Sequence, residues 1–392
     1  MDVRAQRCPR TVRDRAGRRT LALVDTGLGA PARVARPGEP IGPDELRLAT
    51  RNHGMPLEAL RYDVTPPGLH YVLVHYDIPY VEPGGWRLTV DGAVRRPVAL
   101  TAAELRARPR RTLRVTLECA GNGRARLEPR PVSQPWLDEA VGTADWTGTP
   151  LAALLRDVGL PDGAHTVVFT GADHGTERGV EQDYQRALPL VEAMRPEVLL
   201  ADTMNGAPLP PQHGFPLRLV VPGWYGMAHV KWLREITVLT GEFDGFQNAV
   251  AYRLKDRAED AGEPVTRIRP RALLAPPGYP DFMSRIRVVA PGSHLLSGRA
   301  WSGTGPVVRV LFSAGGDWTD AELGPVAGHW AWREFRVPWW AEPGSYQLSV
   351  RAIDATGRAQ PVEPPWNVQG MANNMAQRVP VVVPPGGGHG AP

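Results

Sequence analysis

Apolar and polar positions alternate through Leu113, Val115 and Leu117, the period of a strand with one buried face. The run ends in Glu118-Cys119-Ala120-Gly121-Asn122-Gly123-Arg124. Similar short patterns predict strands at 86–90, 166–170 and 217–221. Short helices with legible ends lie between them. Thr101-Ala102-Ala103-Glu104 has the form of a capping box. Thr149-Pro150 reads as an N-cap followed by proline at the first helical position. Leu151, Leu154, Leu155 and Val158 then share one face, and Gly159 closes the helix. Helices this short and irregular, interleaved with strands, predict an α+β arrangement and not a regular doubly wound sheet.

Further along, strands are predicted at 285–289, 294–301, 307–312, 332–337, 345–353 and 379–383. Turns such as Ala314-Gly315-Gly316-Asp317 separate them, and the spacing predicts an all-β immunoglobulin-like sandwich. It has no Cys…Trp…Cys pattern, so an antibody-type domain is excluded. The expected organisation is a flexible basic lead over 1–40, a catalytic domain over 41–262 and the sandwich over 270–385.

At 392 residues the chain is too long for one ordinary core, which agrees with two folded domains. Glycine (42) and proline (41) are abundant but dispersed, and mark turns, not a low-complexity tract. The net charge of +4 is modest, and no Lys/Arg-rich helix or interleaved aromatic ladder points to nucleic acid. Two cysteines, Cys8 and Cys119, make no disulfide framework, and there is no c-type haem motif. No run of about 18 apolar residues predicts a membrane span. Arg18-Arg19 precede a weak apolar run that Asp25 interrupts, a poor twin-arginine signal; a cytoplasmic location is expected over export.

Three segments carry the chemistry. An isolated strand cysteine is ordinarily a core residue. Cys119, however, enters a Gly-Asn-Gly turn that permits close backbone approach, and Arg124 follows; a thiolate there is a soft-metal ligand or a nucleophile. Arg51-Asn52-His53-Gly54 reads either as a surface loop or as an anion site with a bidentate arginine. The third segment runs from Asn205-Gly206 through His213-Gly214-Phe215-Pro216-Leu217-Arg218 to His229-Val230-Lys231-Trp232. It combines turn chemistry, a Gly-rich loop with backbone donors and a point charge.

Taken in this order, with Trp366-Asn367-Val368-Gln369-Gly370 and Arg378-Val379, these segments resemble the sulfite oxidase family from about residue 51 to 383. The resemblance implies a molybdenum–molybdopterin cofactor with Cys119 as the metal's protein thiolate. It implies cofactor contacts at Asn52, His53, Asp173, His213, Arg218, His229 and Lys231, with backbone donors in the 226–230 loop. It implies a small oxyanion substrate, sulfite, met by Arg51, Arg124, Trp136 and Tyr252 and oxidised by oxygen-atom transfer. The chain is similar to stand-alone members without haem, so electrons would pass to a separate acceptor, a cytochrome or oxygen. The sandwich resembles the family's dimerisation domain and implies a homodimer.

Two positions depart from the family. Pro306 follows Ser302-Gly303-Thr304-Gly305 where a substrate arginine is usual, and Ala228 replaces a frequent arginine. Loss of one charge-assisted contact would weaken dianion binding by about 1.5–3 kcal/mol. The alternatives are the same cofactor acting on nitrate or a sulfoxide, a cofactor-free hydrolase pairing Cys119 with His53 or His213, and a binding module with no activity.

Overall fold

The computed structural model describes residues 11–13, 19–21, 33–82, 84–363 and 365–385. The first half builds two sheets. The hairpin of Thr166–Glu177 and Val180–Pro189 joins Leu233–Leu239, Arg87–Gly92 and Val98–Thr101 in a seven-stranded sheet. Leu233–Leu239 runs parallel to Arg87–Gly92 and antiparallel to Thr166–Glu177. In the second sheet Arg111–Glu118 pairs with Val141–Pro150, which pairs with Leu199–Met204. Between the sheets Leu88, Val90, Val167, Phe169, Ile236 and Val238 are buried with the apolar face of the helix Leu151–Val158. Each such side chain contributes about 1.5–3 kcal/mol on burial.

The capping box forms as the sequence predicts: Glu104 N donates to Thr101 Oγ1 (3.1 Å) and Thr101 N to Glu104 Oε2 (2.7 Å). Gly159, at φ 73°, ends the next helix. That helix starts one residue later than expected, with Pro150 at the N-cap. Thr149 instead lies within the preceding strand, which runs to Pro150, and its hydroxyl donates to Leu105 O (3.0 Å) and cannot cap.

The lead contains structure that its composition does not announce. Thr11–Arg13 and Arg19–Leu21 pair antiparallel and extend the seven-stranded sheet beside Val180. Ala35 N donates to Arg130 O and Val132 N to Arg33 O. The expectation of flexibility over 1–10, 14–18 and 22–32 lies outside the described residues. Pro43–Arg51 forms a helix, with Pro43 in its first turn and the Glu45 carboxylate accepting from Gly42 N (3.1 Å).

The second half is a sandwich. Arg271–Leu274, Gly292–Trp301, Arg333–Ala341 and Glu322–Leu323 form one sheet. Val307–Ser313, Gly344–Asp354 and Gln377–Val383 are the centre of the other, with Arg287–Val288 as a shorter strand than predicted. Phe312, Phe335, Val337, Leu348, Val350 and Val381 fill the space between. The fold is therefore a mostly β, α+β unit followed by an all-β sandwich.

One fully buried side chain ties the halves together. Arg271, on the first strand of the sandwich, donates to Glu118 Oε1 (3.1 Å), Asp138 Oδ1 (2.7 Å) and Asn373 O (2.8 Å). Trp301 Nε1 donates to the other Glu118 oxygen (2.8 Å). Glu118 immediately precedes Cys119, so sandwich residues fix the end of the thiol-bearing strand. Among the described residues no helix is long and apolar enough to cross a membrane.

Candidate active site

Cys119 leaves its strand with its N–H bonded to Ala140 O (2.9 Å). Asn122 pins the turn that follows: its amide donates to Glu118 Oε1 (3.0 Å) and its carbonyl accepts from Ala140 N (3.1 Å). The glycines permit two close approaches. A Cβ at Gly121 would lie 2.7 Å from the Arg124 guanidinium, and one at Gly123 (φ 86°) 3.0 Å from Asn373. The turn thus folds Arg124 back beside the thiol. There Arg124 Nε donates to Gln369 O (2.9 Å) and Nη1 to Gln134 O (3.2 Å).

Two cavities meet at Cys119. The enclosed one is lined by His70, Asp173, His213, Arg218, Met227 and Lys231. The more open one, of 540 Å³, is lined by Asn52, Arg124, Gln134, Trp136, Arg178 and Gln369. His75, Cys119 and Tyr252 line both. Burial pushes the Cys119 thiol up, and Arg124 opposes the shift. An activated nucleophile needs the reverse, and no imidazole hydrogen-bonds to the sulfur among the described residues. A cofactor-free hydrolase is therefore disfavoured.

In the enclosed cavity Arg218 Nη1 donates to His213 O (3.0 Å), and its guanidinium lies 4.6 Å from the Trp146 ring centroid. Burial lowers its pKa to about 10. Lys231 donates to Leu73 O (2.7 Å) and Gln212 O (3.2 Å), and Gly214 leaves room for its stem. Burial and then Arg218 depress the Lys231 ammonium, while burial raises the Asp173 carboxyl; each partner's charge opposes the other's shift. Burial lowers His213 to about 2 and His70 to about 4, so both are neutral. Four buried polar atoms on these walls have no protein partner among the described residues: His70 Nε2, Asp173 Oδ1, His213 Nε2 and Arg218 Nε. Orphans converging on one enclosed space mark a polar ligand with many donors and acceptors. That is the chemistry of a pterin with its phosphate, and the residues fit such a group. No three His, Cys, Asp or Glu side chains form a protein-only metal cage among the described residues.

Several expected site residues stand elsewhere or act otherwise. Arg51 ends its helix on the surface and is held by Tyr76 O and Asp77 Oδ1 (2.8 Å); it lines neither cavity. His53 is exposed and lines neither. Asn52 lines the open cavity, but its amide is occupied by Leu48 O, Gln134 Oε1 and Val74 N. His229 accepts from Val221 N (3.1 Å) and donates to Trp224 O (3.0 Å), so both ring nitrogens serve the loop. Pro306 is in neither cavity wall, because Ser302 and Thr304 donate to Asp354 (2.8 and 2.6 Å) and hold that turn at a separate cleft. The loop Gly226–Ala228 packs on Cys119, since a Cβ at Gly226 would lie 3.6 Å from its Cα.

His70, His75, Gln134 and Arg178 are wall residues that the sequence reading does not contain. The signal for the first two is the run His70-Tyr71-Val72-Leu73-Val74-His75-Tyr76, where two histidines interrupt an apolar stretch.

A buried thiol, a polar enclosed cavity and an open one with a buried arginine in its wall, on this scaffold, match a molybdopterin-dependent oxidoreductase. The oxidoreductase molybdopterin binding domain matches residues 75–247, and the Mo-co oxidoreductase dimerisation domain matches 279–383. Chicken sulfite oxidase (Gallus gallus) is 35% identical over 353 residues, covering 80% of this chain and 72% of that one. The mitochondrial sulfite oxidase of Rattus norvegicus is 33% identical, over 82% of this chain and 62% of its own. A Brassica napus NADH nitrate reductase is 30% identical, over 81% and 38%. The sulfane dehydrogenase SoxCD structure from Paracoccus pantotrophus superposes with a TM-score of 0.72 at 24% identity, covering 91% of this chain and 94% of that one. The chain belongs to the sulfite oxidase family.

Proposed function

We propose that this protein oxidises sulfite to sulfate at a molybdenum centre whose protein ligand is Cys119. The observation that carries the reading is the place of Cys119, at the junction of a cavity with orphaned polar groups and a cavity with buried arginine. When bound, the molybdenum–molybdopterin supplies the oxygen-atom transfer and takes up two electrons. His70, Asp173, His213, Arg218 and Lys231 hold the pterin side. Arg124, fixed by two carbonyls, presents positive charge to the oxyanion without reorganising. Trp136 contributes an indole N–H that has no normal hydrogen-bond partner and favours the Cys119 thiolate. Tyr252 presents its hydroxyl beside the thiol. Electrons leave to a separate protein acceptor or to oxygen.

The test is elemental analysis and sulfite turnover of protein made in a host that synthesises the cofactor. About one molybdenum per chain, lost with turnover in Cys119→Ser, supports the reading; metal retained in Cys119→Ser removes it. Nitrate reduction at the same centre is a second reading, favoured by the nitrate reductases among the relatives. Rates on the two oxyanions separate them.

We also place a homodimer contact on the sandwich, where Phe282 and Met283 are each 82% exposed and Trp340 67%. A monomeric mass in sedimentation would exclude it.

A further inference from the structure

Two arginines beside the thiol differ in how they are held. The Arg124 guanidinium is bonded to two carbonyls. Arg178 lines the same cavity from the tip of the hairpin between Thr166–Glu177 and Val180–Pro189. Among the described residues no carboxylate or carbonyl bonds to it; its guanidinium lies by the Phe246 ring, 6.0 Å from Cζ to the centroid. Its neighbour Glu177, on the same wall, is occupied, because Oε2 accepts from Gln247 Nε2 (3.0 Å).

The backbone makes the choice of arginine more informative. Arg178 sits at φ 50° and Gly179 at φ 78°, the two central positions of a tight hairpin turn. Asn or Gly takes the first of these at less cost than a long side chain. The position is therefore poor for arginine as a turn residue but good for delivering a cation over the cavity mouth. Arg124 and Arg178 line one cavity, where the charge of Arg178 acts against that of Arg124, and an anion bound between two like charges relieves their repulsion.

We propose that Arg178 is the substrate-recognising cation of the open cavity, closing on the oxygens of a doubly charged tetrahedral or pyramidal oxyanion opposite Arg124. This rests on the sulfite-oxidising reading above and adds the residue that selects charge. Arg124 is the fixed half of the clamp and Arg178 the adjustable half. Carried on a hairpin tip, it can follow substrate in and release product, whereas the buried arginine cannot. It also gives the cavity a second cation although Pro306 lies outside its walls.

The experiment uses molybdenum-loaded protein and three forms: parent, Arg178→Ala and Arg178→Lys. Sulfate binding is read by calorimetry and sulfite turnover by steady-state kinetics, with thermal midpoints as the control for folding. Arg178→Ala is expected to raise the sulfate Kd and the sulfite KM together by about 10- to 100-fold, with kcat changed far less and the midpoint unmoved. Arg178→Lys is expected to recover part of the loss, with a steeper dependence on salt. An Arg178→Ala protein that binds sulfate and sulfite as the parent does would overturn the assignment while leaving the sulfite reading intact. A loaded parent that neither binds sulfate nor turns over sulfite would overturn both.

Discussion

The hydroxyl of Tyr252 lies 2.7 Å from Nε2 of His75, a contact between residues 177 positions apart at the wall shared by both cavities. Burial lowers the pKa of His75 and raises that of Tyr252, so both are neutral at pH 7. If His75 donates, the phenolic proton is free to point at an oxyanion; the imidazole then decides what the tyrosine offers. His75→Ala should orphan the buried hydroxyl, at a cost of about 1–3 kcal/mol, and raise the sulfite KM. His75→Gln, whose amide can donate, should restore part of both. Denaturation and steady-state kinetics on the pair of variants check this, and equal KM values in parent and His75→Ala would refute it.

Gly121→Ala should displace Arg124 selectively. The added methyl would stand 2.7 Å from both terminal nitrogens of that guanidinium. Expected is at least a tenfold weaker sulfate affinity with molybdenum content near that of the parent. Unchanged sulfate binding by calorimetry would show that the arginine has room elsewhere.

Arg271→Met should be costly. It leaves Glu118 buried without its cation and Asp138 with Arg126 alone, and breaking such a buried pair costs about 3–5 kcal/mol. Urea denaturation of the metal-free protein is the measurement. A loss under about 1 kcal/mol would mean that neighbouring donors replace the guanidinium.

Acid should weaken the fold through His229. Its folded pKa is lowered to about 3 by burial, against 6.5 when exposed, because its Nδ1 must stay an acceptor for Val221 N. The unfolded chain then binds the extra proton first. The contribution is complete above pH 6.5 and is lost as pH falls from there toward about 3, amounting to about 2 kcal/mol at pH 5. His229→Gln should be less stable than the parent at pH 7 and should lose less stability between pH 7 and pH 5. Parallel stability–pH curves for the two would contradict the assignment.

The thiol-bearing strand is legible because Leu113, Val115 and Leu117 keep a strict period of two, and Gly121 and Gly123 can be understood only as positions of close approach. The sandwich is legible for the same reason: Gln377–Val383 alternates buried and exposed residues along its length. Arg51-Asn52-His53-Gly54 misleads because its residue types suit an anion, whereas direction is set by the helix Pro43–Arg51, which aims the guanidinium at Asp77. That helix could be read from Pro43-Asp44-Glu45. His75 and Arg178 are harder to find. One lies in an irregular crossing segment fixed by the His53–Val72 bridge, and the other on a turn whose contacts depend on Phe246, far away in sequence.

The bond from Arg271 to Glu118 has a consequence for how such proteins can change over time. A gene recombined between the two halves would join an active-site strand to a foreign sandwich, and the chimera would fold around an uncompensated carboxylate one residue from the thiol. Arg271, Glu118, Asp138 and Trp301 must therefore be inherited as a set, although no single stretch of sequence contains them.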